Sequence, residues 1–282
     1  MGERRIGDGP VEVLAAEAAR AALGEGPPPD LLLFASVSPR QLIPDTSAFV
    51  ARELGLAGIT TWSVHATCLS FLAALGQAAA LVHAGQHQRV LVVSAERGSI
   101  SRNFAEPESA ALIGDGAGAA VIEASPPGSK SALLYHRLAT FPEGAGLAEL
   151  RGCGVSRHPN DPATTREDNL FPMDGPALYK LAIRRTMRQV RDCLAAVGLE
   201  PGDIDLVVPH QPSGPGVQAI QRFGFAAERV VDIVGTFGNC IAASLPMALA
   251  MAHEQGRLRR GDRVLLLGTG AGLGIGTTLL RW

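Results

Sequence analysis

The sequence predicts an α/β protein of two repeated, βαβ-rich halves packed in layers, and three observations carry that prediction. The order helix, strand, helix, strand, apolar helix, strand occurs twice along the chain. In each half an apolar helix closes on glycine and a basic turn, at Ala84-Gly85-Gln86-His87-Gln88-Arg89 and Gly256-Arg257-Leu258-Arg259-Arg260-Gly261. Uninterrupted apolar runs follow, Val90-Leu91-Val92-Val93 and Val264-Leu265-Leu266-Leu267, and such runs mark strands covered by helices on both faces. The composition agrees: 282 residues, 46% hydrophobic and 18% charged, supply a large core and few charges for a solvent shell, which points to a buried subunit interface.

The elements of the first half follow in order. An amphipathic helix over Val11–Leu23 leads through Gly24 and a proline run into an apolar strand at 30–34. A second helix at 46–54, a strand at 59–64, a long apolar helix from Cys68 and a strand at 89–93 come next. The second half repeats them as a helix at 178–197, a strand at 205–208, a helix at 217–223, a strand at 229–233, an apolar helix from Ala242 and a strand at 263–267. The halves are thus placed at 1–124 and 173–282. The segment 125–172 between them is rich in proline, glycine and polar residues and is expected to carry loops, either a flexible linker or a functional mouth loop.

Several function classes fall away. The net charge of −2 supplies no basic field for a nucleic-acid backbone. Neither of the only two lysines, Lys130 and Lys180, stands in a phosphate-binding GxxxxGK[ST] loop. Cys68, Cys153, Cys193 and Cys240 form no CxxC pair, so no metal site or disulfide framework is indicated, and they read as reduced thiols of a cytoplasmic protein. No export signal or membrane span is visible, because Met1-Gly2-Glu3-Arg4-Arg5 precedes no apolar stretch and the apolar helix is interrupted by Gly76, Gln77 and His83.

Three residues are placed where chemistry is expected. Cys68 lies at the start of an uncharged helix, where the helix dipole and free N–H groups lower a thiol pKa; it is either a nucleophile or a small buried hydrophobe. His210 follows an apolar strand at the edge of a loop, in Pro209-His210-Gln211, and is either part of a site or a histidine bonded to backbone. Asn239, in Gly238-Asn239-Cys240, occupies the place in the second half that the Cys68 segment occupies in the first, and it is either functional or a helix cap. The glycine-rich stretches Gly114-Asp115-Gly116-Ala117-Gly118 and Gly268-Thr269-Gly270-Ala271-Gly272-Leu273-Gly274-Ile275-Gly276 are expected to be tight turns between strands, and the second can offer backbone N–H groups to an oxyanion.

Taken together, Ala66-Thr67-Cys68, Gly114-Asp115-Gly116-Ala117-Gly118-Ala119, Met173-Asp174-Gly175, Pro209-His210-Gln211, Gly238-Asn239 with Ala242-Ala243-Ser244, and Gly270-Ala271-Gly272 resemble the thiolase superfamily, within it the β-ketoacyl-acyl-carrier-protein synthase III group. The resemblance covers almost the whole chain. It implies a layered αβαβα fold, with Cys68 as acyl-accepting nucleophile and His210 and Asn239 completing a Cys-His-Asn set. The oxyanion hole it implies uses the backbone N–H groups of Cys68 and Ala271. It further implies CoA or acyl-carrier-protein thioesters as substrates, no permanently bound cofactor or metal, a homodimer or heterodimer, and neither nucleic acid nor membrane as partner. CoA-contacting residues are left unassigned.

The chain departs from the family pattern in three places. It opens at Gly2-Glu3-Arg4-Arg5-Ile6, in the middle of a family phrase, so the family's opening strand and some CoA contacts are expected to be missing. Thr269 replaces an aromatic residue and Ala271 replaces a glycine in the closing turn; Pro212-Ser213 replaces Ala-Asn after Pro-His-Gln. The leading expectation is decarboxylative condensation of an acyl group with a malonyl-type thioester, in fatty-acid or secondary-metabolite (polyketide) synthesis. The alternatives are acyl transfer to an oxygen or nitrogen acceptor and a non-catalytic subunit of a heteromeric ketosynthase.

Overall fold

Strands buried on both faces alternate two apolar surfaces, so each sheet demands a helical layer on either side. The computed structural model, which describes residues 9–152 and 154–282, meets that demand with two sheets and three helical layers. The sheets are built from β1 (Leu31–Ala35), β2 (Thr60–Val64), β3 (Arg89–Arg97), β4 (Asp115–Glu123), β5 (Ala132–Thr140), β6 (Leu206–Pro209), β7 (Arg263–Gly270) and β8 (Gly274–Arg281). The helices are α1 (Val11–Leu23), α2 (Thr46–Glu53), α3 (Ser70–His83), α4 (Pro107–Leu112), α5 (Gly175–Val197), α6 (Gly214–Gln218), α7 (Val234–Phe237) and α8 (Ser244–Glu254).

The first sheet runs β2-β1-β3-β4 and the second β5-β8-β7-β6. In each, a parallel core (β1 with β2 and β3; β6 with β7) is followed by an antiparallel strand, β4 on β3 and β8 on β7. Leu32, Phe34, Leu91 and Val93 face α1 and α2, whereas Leu31, Leu33, Val90 and Val92 face α3 and α8. From the other sheet, Leu206, Val208, Val264 and Leu266 face the same α3 and α8, and Val207, Leu265 and Leu267 face α5 and the Val217–Phe223 region. The result is an αβαβα sandwich whose central layer, α3 beside α8, is shared by both halves. That sharing fits the lack of charge in α3 between Ser70 and Leu81: its residues 70–75 and Ala78 are buried, and only Gln77 and Ala80 are exposed there.

The structure corrects three expectations. Gly114-Asp115-Gly116-Ala117-Gly118 is not a turn but leads into β4, and its glycines admit α8: a Cβ on Gly118 would lie 2.9 Å from the Met247 backbone nitrogen. No strand forms over 229–233, where a 3-10 turn (Ala227–Arg229) is followed by a single bridge from Val230 to Val207. The 125–172 segment contains β5, paired along β8, besides its loops. Of the second glycine stretch only Ala271, Gly272 and Leu273 form a turn, with Gly272 at φ 103°; residues 268–270 end β7 and residues 274–276 begin β8. The opening Gly2-Glu3-Arg4-Arg5-Ile6 and Cys153 lie outside the described residues.

Candidate active site

Cys68 stands in a turn between β2 and α3. Thr67 takes the left-handed conformation (φ 50°), so the chain reverses sharply and presents Cys68 just before the helix begins at Ser70. Ser70 locks this turn: its Oγ donates to Thr67 O (2.7 Å) and accepts from Ala66 N (3.0 Å). The C-terminal end of β7 closes against it. A Cβ on Gly270 would lie 2.6 Å from Thr67 Oγ1 and 3.4 Å from the Cys68 nitrogen, so only glycine lets the strand come this near.

The Cys68 sulfur receives backbone hydrogen bonds from Ala271 and from Cys68 itself. Those bonds favour the thiolate, yet burial and then the nearby Glu96 carboxylate push the thiol up to about 12. This reverses the sequence expectation of a lowered pKa, since desolvation outweighs the helix terminus. Glu96 is itself fully buried at the end of β3, where burial raises its carboxyl to about 7 against hydrogen bonds from Ser38 Oγ (2.6 Å) and Val37 N (3.0 Å). Sequence reasoning missed Glu96, because nothing in the run of β3 shows that its last turnward residues meet the thiol.

His210 leaves the end of β6 with its N–H bonded to Leu267 O of β7 (2.7 Å). It is 4% exposed, its Nδ1 has no hydrogen-bond partner, and burial pushes its pKa down to about 4. The imidazole is therefore neutral at physiological pH. Gln211, fully buried, fixes this corner by donating to Pro209 O (2.9 Å) and Val231 O (3.0 Å) and accepting from Ile233 N (2.9 Å). Its role as a staple for His210 was another feature the sequence left unread.

Asn239 sits between α7 and α8. Its N–H donates to Leu112 O (2.6 Å), its O accepts from Gly114 N (3.0 Å), and its Oδ1 accepts from Ile241 N (2.9 Å). With Oδ1 engaged, the amide NH2 is the end left to donate. Thus Cys68, Ala271 and His210 gather at the end of β7, and Asn239 is anchored independently; no hydrogen bond joins the Cys68, His210 and Asn239 side chains directly among the described residues. Among those residues, too, no cluster of three or more His, Cys, Asp or Glu could hold a metal ion, and no helix is long and apolar enough to cross a membrane. Cys68, Cys193 and Cys240 form no disulfide among the described residues.

Comparisons with known proteins agree with this architecture. The family model described as 3-oxoacyl-[acyl-carrier-protein (ACP)] synthase III matches residues 63–140, and the one for the C terminal part of that synthase matches residues 194–282. A β-ketoacyl-[acyl-carrier-protein] synthase III of Nitratidesulfovibrio vulgaris is 38% identical over 275 residues, covering 95% of this chain and 83% of the relative. The crystal structure of 3-oxoacyl-(acyl carrier protein) synthase III from Pseudomonas aeruginosa superimposes with a TM-score of 0.89 at 34% identity, over 99% of this chain and 86% of that one. The synthase III structure from Aquifex aeolicus gives a TM-score of 0.89 at 29% identity, over 99% and 87% of the two chains. The chain therefore belongs to the 3-oxoacyl-[acyl-carrier-protein] synthase III family, acyltransferases of the thiolase fold.

Proposed function

We propose that this protein takes an acyl group from a thioester onto Cys68 and condenses it with a malonyl-type thioester, in fatty-acid or secondary-metabolite synthesis. The observation that carries this reading is the convergence of the Cys68 and Ala271 backbone N–H groups on the Cys68 sulfur. Two N–H donors fixed beside a nucleophile stabilise the oxyanion of a tetrahedral intermediate, each contributing about 3 kcal/mol to barrier lowering.

In the first half-reaction Sγ attacks the thioester carbonyl carbon while neutral His210 is the available proton acceptor for the thiol. The new C–S bond forms, the carrier's C–S bond breaks, and the departing thiolate takes up the proton. In the second, loss of CO2 from the malonyl thioester leaves an enolate, whose oxygen is met by hydrogen bonds from the His210 ring and the Asn239 NH2. The enolate carbon attacks the acyl carbon; a C–C bond forms as the bond to Cys68 Sγ breaks. No step calls for a bound metal or a resident cofactor.

A carrier protein as one thioester donor is supported by an exposed cationic row on α5, Lys180, Arg184 and Arg188 at four-residue spacing, with Arg222 beside Tyr179 (3.3 Å). A dimer is supported by Leu42 and Ile43, 72% and 86% exposed next to the segment of edge strand β2. The test is intact-protein mass spectrometry after incubation with acyl-CoA and acyl-carrier-protein thioesters. One acyl group is expected on the wild type and none on Cys68→Ala, and a β-keto thioester with CO2 on adding the malonyl thioester. An ester or amide product would overturn condensation, and no acylation at all would overturn the whole reading.

A further inference from the structure

The two donors of the proposed oxyanion hole belong to different halves of the molecule and are 203 residues apart in sequence, so something must hold their separation. Besides the Ala271 N–H bond to the sulfur, a side-chain hydrogen bond spans the gap: Thr67 Oγ1 donates to Ala271 O at 3.2 Å. Each end of this bond adjoins a donor. The Cys68 N–H is on the residue after Thr67, and the Ala271 N–H is on the residue whose carbonyl is held. We infer that Thr67 is a positioning residue, whose hydroxyl sets the spacing of the Cys68 and Ala271 N–H groups for the acylation step; this rests on the functional reading above.

Three observations support it. Thr67 sits at φ 50°, a conformation unfavourable for a β-branched residue, so its presence there asks for a return that a smaller residue would not need. Gly270 leaves room for this hydroxyl, since a Cβ there would lie 2.6 Å from Thr67 Oγ1 and farther, 3.3 and 3.4 Å, from Leu69 Cγ and Cys68 N. The related position in the second half, three residues before α8, is Ile241 at φ 49°, which has no hydroxyl and makes no such link. On that side the halves are joined through backbone bonds of Asn239 to Leu112 and Gly114 instead, so the side-chain tie belongs to the nucleophile's side of the repeat.

The experiment measures single-turnover acylation by an acyl-CoA alongside alkylation of Cys68 by iodoacetamide, on wild type, Thr67→Val, Thr67→Ala and Thr67→Ser. Alkylation develops no oxyanion and feels the two N–H groups only through the resting thiolate, whereas acylation needs them for the oxyanion as well. Thr67→Val and Thr67→Ala are expected to slow acylation about tenfold or more at saturating acyl-CoA with the half-saturating concentration unchanged. Alkylation should fall clearly less than acylation for both, and Thr67→Ser should restore acylation. If Thr67→Val does not fold, the Ala and Ser variants decide the matter. Wild-type acylation in the Val or Ala variant would overturn the inference, as would a parallel fall in alkylation, which marks a displaced thiol, or a Ser variant as slow as Ala. A wild type that alkylates at Cys68 but accepts no acyl group would instead overturn the functional reading itself.

Discussion

Burial holds Cys68 and His210 in their uncharged forms over the whole physiological range, the one by raising an acid and the other by lowering a base. For Cys68 the consequence is kinetic. Alkylation should rise about tenfold per pH unit from neutrality with no plateau below about pH 11, whereas an ordinary thiol levels off about a unit above its pKa of roughly 8.5. Peptide mapping of iodoacetamide-treated protein across pH checks this, and a plateau near pH 9 would contradict it. For His210 the consequence is thermodynamic. Its folded pKa lies below the unfolded value, so the unfolded chain binds the proton first and stability falls as pH drops from about 6.5 to about 4, by at most about 3 kcal/mol. Urea unfolding at pH 7 and 4.5 should show wild type losing more than His210→Gln, and equal losses would refute it.

At the scale of elements, the glycines of β4 differ in what they face. A Cβ at Gly118 would meet the backbone of Pro246 and Met247, at 3.0 and 2.9 Å, whereas at Gly116 it would meet the flexible Met247 side chain. Gly118→Ala is expected to cost about 1–3 kcal/mol and Gly116→Ala clearly less, as thermal melts would show. These glycines also mark where the sequence was hard to read. Glycine clusters suggest turns, but here they are strand positions pressed by a helix, and only the docked α8 reveals it. β5 was obscured because an edge strand carrying His136 and Arg137 lacks a continuous apolar run, and 229–233 was overread because Val230, Val231 and Ile233 fill the core without pairing as a strand. By contrast β1, β3, β6 and β7 were legible since both faces are buried and every residue shows it. Cys68, His210 and Asn239 are singled out by their phrases, and the structure places Cys68 and His210 together at the end of β7; the direction of the thiol's shift is not legible, because desolvation is a property of the assembled layers.

Across the whole molecule, the central layer makes the halves interdependent. Leu72 of α3, fully buried, packs onto β7 and β8 of the other half, its Cδ1 lying 2.8 Å from where a Gly276 Cβ would be. Unfolding is therefore expected as one transition. The two tryptophans, Trp62 in β2 and Trp282 after β8, report on opposite halves. Fluorescence of single-tryptophan variants and far-ultraviolet circular dichroism should give coincident urea midpoints, and Leu72→Ala should lower them together by about 2–5 kcal/mol of stability. Separate midpoints would show that the halves fold independently.

The division of the proposed oxyanion donors between halves also bears on biosynthesis. A nascent chain exposes Cys68 long before Ala271 has been made, and until β7 docks against the Thr67 turn the thiol has only one of its two N–H partners. On the proposed mechanism, full acyl-transfer competence therefore requires a docked β7, and chains that end before Ala271 are expected to be acylated at Cys68 more slowly than the whole protein.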